Sequence, residues 1–272
     1  QYPQHPLSYL IAAEGYWGTI FCETGHITPR EIWNIAETKS SAHDEAFLRT
    51  VEQALKASET MKESEETPAL GTFYAGVAHG VQARLYMLRE QALKSGTEGK
   101  QMREALLDAM ALDPELTPDA YLGLGVYNYY ADVLSPLVKL FRFFLLIPGG
   151  DREEGIEQLQ TASQQAVLLA PEAQYELARI LGIRENRHPE AFTLLQALAD
   201  QYPSNALYGL AAAFEAQRAG NIPKAIEYAR KAKVAAEGMD DLCRARLLPA
   251  AQQALKRLAE APAAKAAAVG PD

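Results

Sequence analysis

Three stretches of this 272-residue chain end alike. Ala109-Met110-Ala111-Leu112-Asp113-Pro114, Ala166-Val167-Leu168-Leu169-Ala170-Pro171 and Leu198-Ala199-Asp200-Gln201-Tyr202-Pro203 each read as an apolar helix tail closed by a proline. Pro171 and Pro203 stand 32 residues apart, and the small residues Ala191 and Ala225, which open two successive second helices, stand 34 apart. A period of that length marks a helix-turn-helix repeat. One such hairpin cannot bury its apolar face alone, so three or more must stack, and a chain that keeps the period is committed to an all-α fold.

The rest of the chain agrees. Apolar residues recur three and four apart and strand-like alternation is scarce. Leu106, Leu107, Met110 and Leu112 are expected on one face of residues 98 to 112. Thr28-Pro29-Arg30-Glu31 reads as a capping box with proline at the first helical position, and Asp151-Arg152-Glu153-Glu154 as an Asp-led variant. Pro68, Pro118, Pro189 and Pro223 fall where helices are expected to start, so the missing N–H costs little there.

Tyr121-x2-Leu124-Gly125 pairs a bulky residue with a small one on a first helix, although Asn128 stands where a further aromatic is expected. Ala191, Leu195, Leu198 and Pro203 supply the second-helix pattern, and Ala225, Ala229 and Ala232 repeat its small positions without a closing proline. On these residues the chain, from about 98 to 237, resembles the tetratricopeptide repeat family. The resemblance implies a superhelix of helical hairpins, in which Gly and Ala admit close helix approach and bulky residues fill the grooves. Residues 1–97 are expected to form a helical region packing on the repeats, 98–260 the repeat region, and 261–272 a frayed, Ala/Pro-rich tail.

One interval breaks the period. Pro114 and Pro171 are 57 residues apart, 23 more than a 34-residue repeat allows. The excess maps to an insertion over 129–150, where Leu137, Leu140, Phe141, Phe143 and Phe144 are interrupted only sparsely by polar residues. It is too short and, with Lys139 and Arg142, too charged for a membrane span. A helix apolar on all faces is buried as an extra core element, laid on a membrane surface or a partner, or set along an apolar cavity. Tyr127, Tyr129 and Tyr130 precede the insertion, and each offers an apolar ring with one polar tip able to orient a greasy molecule. Trp17, in an aromatic N-terminal region with Tyr9, Tyr16, Phe21 and Trp33, either lines the same space or seals the end of the stack. Tyr74 completes the candidate ligand-contacting set.

Chemistry is otherwise sparse. With 26 Lys+Arg against 35 Asp+Glu the formal charge is −9, the wrong sign for nucleic-acid affinity. The five histidines lack metal-site spacing, and His79, in a small-residue run, is expected to be a satisfied interior histidine. Pro148-Gly149-Gly150-Asp151-Arg152 reads as a turn and cap; Asp151, Glu153 and Glu154 would repel a phosphate. No catalytic residue, metal or cofactor is expected. Cys22 and Cys243 are too few for a disulfide framework, and a bridge between them stays open.

The functional expectation is therefore a non-enzymatic protein that holds an apolar small molecule, a lipid or sterol, in an aromatic-lined cavity. In overall look the chain is similar to the helical components of bacterial lipid or sterol transport systems. That implies a protein partner of an envelope transport system and a periplasmic or outer-membrane-associated location, as does reading the absence of an initiator Met before Gln1 as a removed export signal. No transmembrane span is expected, and membrane-surface contact stays open. The alternative is a repeat scaffold whose concave face grips a peptide or protein.

Overall fold

The computed structural model describes residues 4–24, 40–133 and 148–260, and the regular elements among them are all helical. They are α1 (Pro6–Thr24), α2 (Asp44–Lys62), α3 (Pro68–Leu88), α4 (Ala92–Leu112), a 3-10 turn (Pro114–Leu116), α5 (Thr117–Val133), α6 (Arg152–Gln165), α7 (Ala170–Ile183), α8 (His188–Gln201), α9 (Ala206–Arg218), α10 (Ile222–Glu237) and α11 (Asp241–Glu260). Helix-on-helix packing joins α2 to α3, α3 to α4, α5 to α6, α8 to α9, α9 to α10 and α10 to α11, the arrangement of a helical-repeat stack.

The expected boundary chemistry is present. Pro68, Pro189 and Pro223 sit in the first turns of α3, α8 and α10, and Pro118 is the second residue of α5. Asp151 caps α6, its Oδ1 accepting from Glu153 N at 2.9 Å and Glu154 N at 3.0 Å. Asn205 and Asn221 cap α9 and α10 in the same way. Pro249 departs from the pattern by lying inside α11.

The chain divides into two compact units, one of residues 1–20 and 38–173, the other of 21–37 and 174–272. Position 97/98, where the sequence separates a leading region from the repeats, lies inside α4. In the first unit, Phe47, Phe73, Leu85, Leu106 and Leu124 form the apolar centre. Asp44 at the start of α2 takes a bidentate ion pair from Arg89 at the end of α3, at 2.6 and 2.7 Å. The α5–α6 crossing is closer than side chains permit: a Cβ on Gly155 would stand 2.6 Å from Tyr129 N and 2.7 Å from Gly125 O.

In the second unit the period becomes packing. α8 and α10 begin 34 residues apart, and Ala191 and Ala225 are both fully buried at the same turn of each. Cys22 and Cys243 are bonded here, with Cα atoms 4.9 Å apart, and Arg246 donates to the carbonyls of Cys22 and Glu23 at 3.2 and 2.9 Å. The bridge left open by the sequence is thus formed.

One expectation changes. Leu107 and Leu112 do not share the buried face of α4; they are exposed, and the face turned inward carries Ser95, Met102, Leu106 and Ala109. That spacing of three and four is the helical stripe, from which Leu107 is rotated by about 100°. Residues 129–133 of the expected 129–150 insertion belong to α5, which continues through Val133. Leu137, Leu140, Phe141, Phe143 and Phe144 lie outside the described residues, as do the Thr28–Glu31 box, Trp33 and the 261–272 tail.

Candidate functional site

α5 is set in place from its first turn. Asp119 is buried, and its carboxylate accepts three backbone N–H groups from the connection before α7: Val167 at 2.9 Å to Oδ2, and Leu168 and Leu169 at 2.8 Å to Oδ1. One carboxylate therefore fixes the chain 48 to 50 residues downstream and satisfies N–H groups that no helix pairs.

Further along α5, Tyr127 and Tyr129 are two residues apart and so face in directions about 200° apart. Both are buried. Tyr127 turns to α4, where Gly99 leaves room for its ring and Arg103 stands 5.9 Å from the ring centre. Its hydroxyl donates to Pro148 O at 2.8 Å. Tyr129 packs edge-on with the half-buried Tyr130, centroids 5.3 Å apart. Between them Asn128 donates to Gln158 Oε1 at 3.0 Å, and Gln158 donates on to Glu154 at 2.8 Å. The residue that departs from the repeat pattern thus ties α5 to α6. Gly150 lies so close to the Asn128 carbonyl that a Cβ would be 2.1 Å from its oxygen. The Pro148–Gly150 turn is consequently seated on α5 by the Tyr127 hydroxyl and by contact with Asn128.

Tyr74, on α3, is buried with the His5 ring edge-on at 5.2 Å. Burial pushes its phenol above the ordinary tyrosine value, and the charge of Asp119 adds to the shift. Trp17, on α1, is half-buried against Phe47 with the Arg84 guanidinium 4.0 Å above its ring. Arg84 also pairs with Glu14 at 2.5 Å. Glu172 remains exposed as a residue, yet its carboxyl is desolvated enough to titrate above the usual carboxylate range; Glu14 adds to that shift and Arg84 opposes it.

Tyr74 and Tyr127 therefore belong to one apolar cluster, and Trp17 packs against it. Tyr129, about 200° round α5 from Tyr127, and Tyr130 are not members of that cluster. A surface depression of about 450 Å³ opens instead on α2, α3 and α4, lined by Lys62, Thr72, Ala105, Asp108, Ala111 and Leu112. None of the described ligand-contacting candidates lines it. The sequence reading missed it because Leu112 looks like core, whereas its exposure makes it part of the depression's wall.

His79 is half-buried and pairs with Glu98 at 2.7 Å across α3 and α4, so this interior histidine has its partner. Among the described residues no three His, Cys, Asp or Glu side chains are grouped to hold a metal ion, and no helix is long and apolar enough to cross a membrane. Compared with family models and with curated proteins, the chain matches none.

Proposed function

We propose that the chain is a non-enzymatic binding protein of the bacterial cell envelope that carries an apolar ligand, a lipid or sterol-like molecule, on a helical-repeat framework similar to the tetratricopeptide repeat. The observation that carries this reading is the seating of the greasy segment's two ends. The chain leaves α5 at Val133, and Pro148 is held by Tyr127, six residues or about 9 Å back along the same helix. The residues that flank the fourteen-residue, Leu- and Phe-rich stretch 134–147 are thus both fixed on one helix, which suits the attachment of a ligand-contacting element.

In this reading the buried Tyr74, Tyr127 and Tyr129 build the wall, and Tyr130 and Trp17, half-buried, join Leu137, Leu140, Phe141, Phe143 and Phe144 in touching the ligand. Apolar burial at about 25 cal/mol per Å² would hold a lipid with few polar contacts. The disulfide supports an oxidising location such as the periplasm or the outer-membrane surface. A partner protein of an envelope transport system would receive the cargo.

Organic extraction of the purified protein followed by mass spectrometry tests this. Stoichiometric lipid, together with quenching of Trp17 fluorescence in a Trp33→Phe variant on lipid titration, is the expected result. Lipid-free protein that responds to neither sterols nor fatty acids rejects it. Replacing Phe143 and Phe144 by Ala should weaken lipid binding while leaving the melting temperature nearly unchanged.

A scaffold that grips a peptide is the second reading, favoured by the open depression where the charged Lys62 and Asp108 flank Leu112. Lys62→Glu would then abolish peptide capture and leave lipid content untouched.

A further inference from the structure

We propose that the depression on α2, α3 and α4 docks a cationic amphipathic helix of a partner protein, with an apolar side chain of that helix against Leu112 and its Lys or Arg residues against an acidic rim. The inference shares the depression with the scaffold reading but not the Lys62 contact, and it does not depend on the ligand reading. A peptide held through Lys62 would carry the opposite charge, so the two occupants are separable.

The wall is a strip of one helix. α4 turns Ser95, Met102, Leu106 and Ala109 inward and leaves Ala105, Asp108, Ala111 and Leu112 to line the depression. Ala105 to Leu112 spans about two turns, roughly 10 Å, and side chains as small as the two alanines let another helix approach closely. Leu112, 58% exposed, is the large apolar side chain among the lining residues. It offers an anchor to a partner whose own apolar residue would otherwise face water.

The charge around this strip decides which partner fits. The two stretches that hold every lining residue, 59–72 and 104–115, contain eight Asp or Glu and one Lys; seven of the chain's nine net negative charges thus fall in 26 of its 272 residues. Lys62 is already neutralised by Glu59 at 3.1 Å, and Glu104 faces Lys100 at 3.9 Å. Glu63, Glu65, Glu66, Asp108, Asp113 and Glu115 are paired with no cation among the described residues. Each of the six lines the depression or stands within four residues of one that does. Like charges so placed repel one another, and a partner bringing Lys or Arg relieves that repulsion as well as adding attraction. The same rim opposes an anionic peptide, a nucleic acid or an anionic bilayer. A simple cation would make no use of the apolar strip. Basic and apolar residues three and four apart on one helix match both features.

The probe is a fluorescein-labelled helical peptide of Leu, Lys and Ala with Leu and Lys on one face, alongside a twin in which every Lys is Glu. Binding to the full chain is read by fluorescence anisotropy. The Lys peptide should bind at least about tenfold more tightly than its twin, and its affinity should fall several-fold between about 0.01 and 0.15 M salt. Asp108→Lys should weaken binding about tenfold, and Leu112→Ala about fivefold. Glu157→Lys makes the same change of net charge on exposed α6 and should weaken it less than about twofold. Lys62→Glu should tighten binding about twofold. Thermal melting verifies that each variant is folded, and Asp108→Asn, expected to weaken binding about threefold, replaces Asp108→Lys if the latter is not. Equal weakening by Asp108→Lys and Glu157→Lys would mean that net charge alone attracts the peptide, which overturns the proposal. Preference for the Glu twin, or loss of capture in Lys62→Glu, gives the depression to a peptide held through Lys62 and overturns it as well. Failure of both peptides to bind overturns this inference and the scaffold reading together. Binding of the chain to phosphatidylglycerol vesicles that Leu112→Ala abolishes would make this a membrane face and overturn the choice of a protein helix.

Discussion

The two units solve the same packing problem with different small residues. Among the described residues of the second, alanine supplies fourteen of the twenty-three in the main buried cluster, Ala211, Ala212 and Ala213 among them at 0% exposure. Among those of the first, alanine supplies six of seventeen, and the centre is built from Phe47, Phe73, Tyr74, Leu106 and Tyr127. Large side chains hold helices apart, so where the first unit needs close crossings it uses glycine, as at Gly125 and Gly155. Alanine at a crossing tolerates modest adjustment, because a methyl group has neighbours that can shift. Backbone against backbone has none. The first unit should therefore be brittle at its crossings and the second forgiving.

The widest separation between them is expected from one substitution made twice. Gly155→Ala places a methyl 2.6 Å from Tyr129 N and 2.7 Å from Gly125 O, both main-chain atoms, so α5 and α6 must move apart. We expect a loss of about 3 kcal/mol, with the Tyr129–Tyr130 ring contact disturbed. Gly209→Ala meets Ala232 Cβ and N at 3.2 Å and its Cα at 3.3 Å, contacts half an ångström or more longer than the two nearest at Gly155 and relieved by a shift of a few tenths of an ångström, and should cost less than about 1 kcal/mol. Chemical denaturation of the two variants checks this; equal losses would break the contrast.

That difference also explains what could be read in advance. The alanines at 191 and 225 announced the helical repeat because a fixed distance between small residues survives in a linear pattern, and the packing of α8 and α10 follows it directly. Pro118 and Asp151 gave their helix starts for the same local reason. Asp119 gave no such sign: its partners lie 48 to 50 residues ahead, and no spacing rule connects them. Leu112 misled because it stands six residues beyond Leu106, about 240° round α4, and so off the buried stripe. Of the expected site, Tyr74 and Tyr127 share one cluster with Trp17 packed against it, and that grouping, their burial, the division between Tyr127 and Tyr129, and the open depression all depend on three-dimensional crossings that no linear spacing carries.

The second unit has its own inflexible point. Glu215 is fully buried on α9, bonded to His188 Nδ1 at 2.8 Å and Arg218 Nη1 at 2.5 Å, in a space left by Gly182, whose Cβ would lie 2.7 Å from the carboxyl carbon. Glu215→Ala leaves His188 and Arg218 without that acceptor. Both retain some solvent, so the expected loss is about 2–3 kcal/mol, below that of a pair wholly shut from water. Its counterpart in the first unit is Asp119→Ala, which strips the acceptor from three N–H groups. Val167 is 94% exposed and water can replace the carboxylate there, so about 1.5 kcal/mol is expected. Local hydrogen exchange should rise at 167–169 and not at 188–218. A reversed order of the two losses would show that buried carboxylates weigh more heavily in the first unit than the alanine–glycine contrast suggests.

The smallest effect separates the units by pH. Tyr228 is buried on α10, and its phenol is pushed up to about 12, first by burial and then by the hydrogen bond it donates to Asp200 at 2.8 Å. The unfolded chain loses this proton near the ordinary tyrosine value of about 10, whereas the folded protein keeps it for roughly two further pH units. The folded state then binds more protons, so the stabilisation is whole below pH 10 and declines as pH rises through 12. Tyr228→Phe keeps the ring against Phe192 and under Lys231 but has no proton to lose. The stability difference between wild type and variant should therefore shrink by about 1 kcal/mol between pH 9 and 11, measured by urea unfolding and read at α8–α10. Asp200, held below the usual carboxylate range mainly by its hydrogen bond from Lys231, stays charged throughout that window and so leaves the phenol as the changing partner. Tyr74 is raised as well, but by burial with Asp119 only nearby, so Tyr228→Phe should leave the alkaline response of α2–α5 unaltered. A loss of that response in both units would show that they unfold as one, and the contrast between an alanine-built and a glycine-pinned half would then describe packing without describing stability.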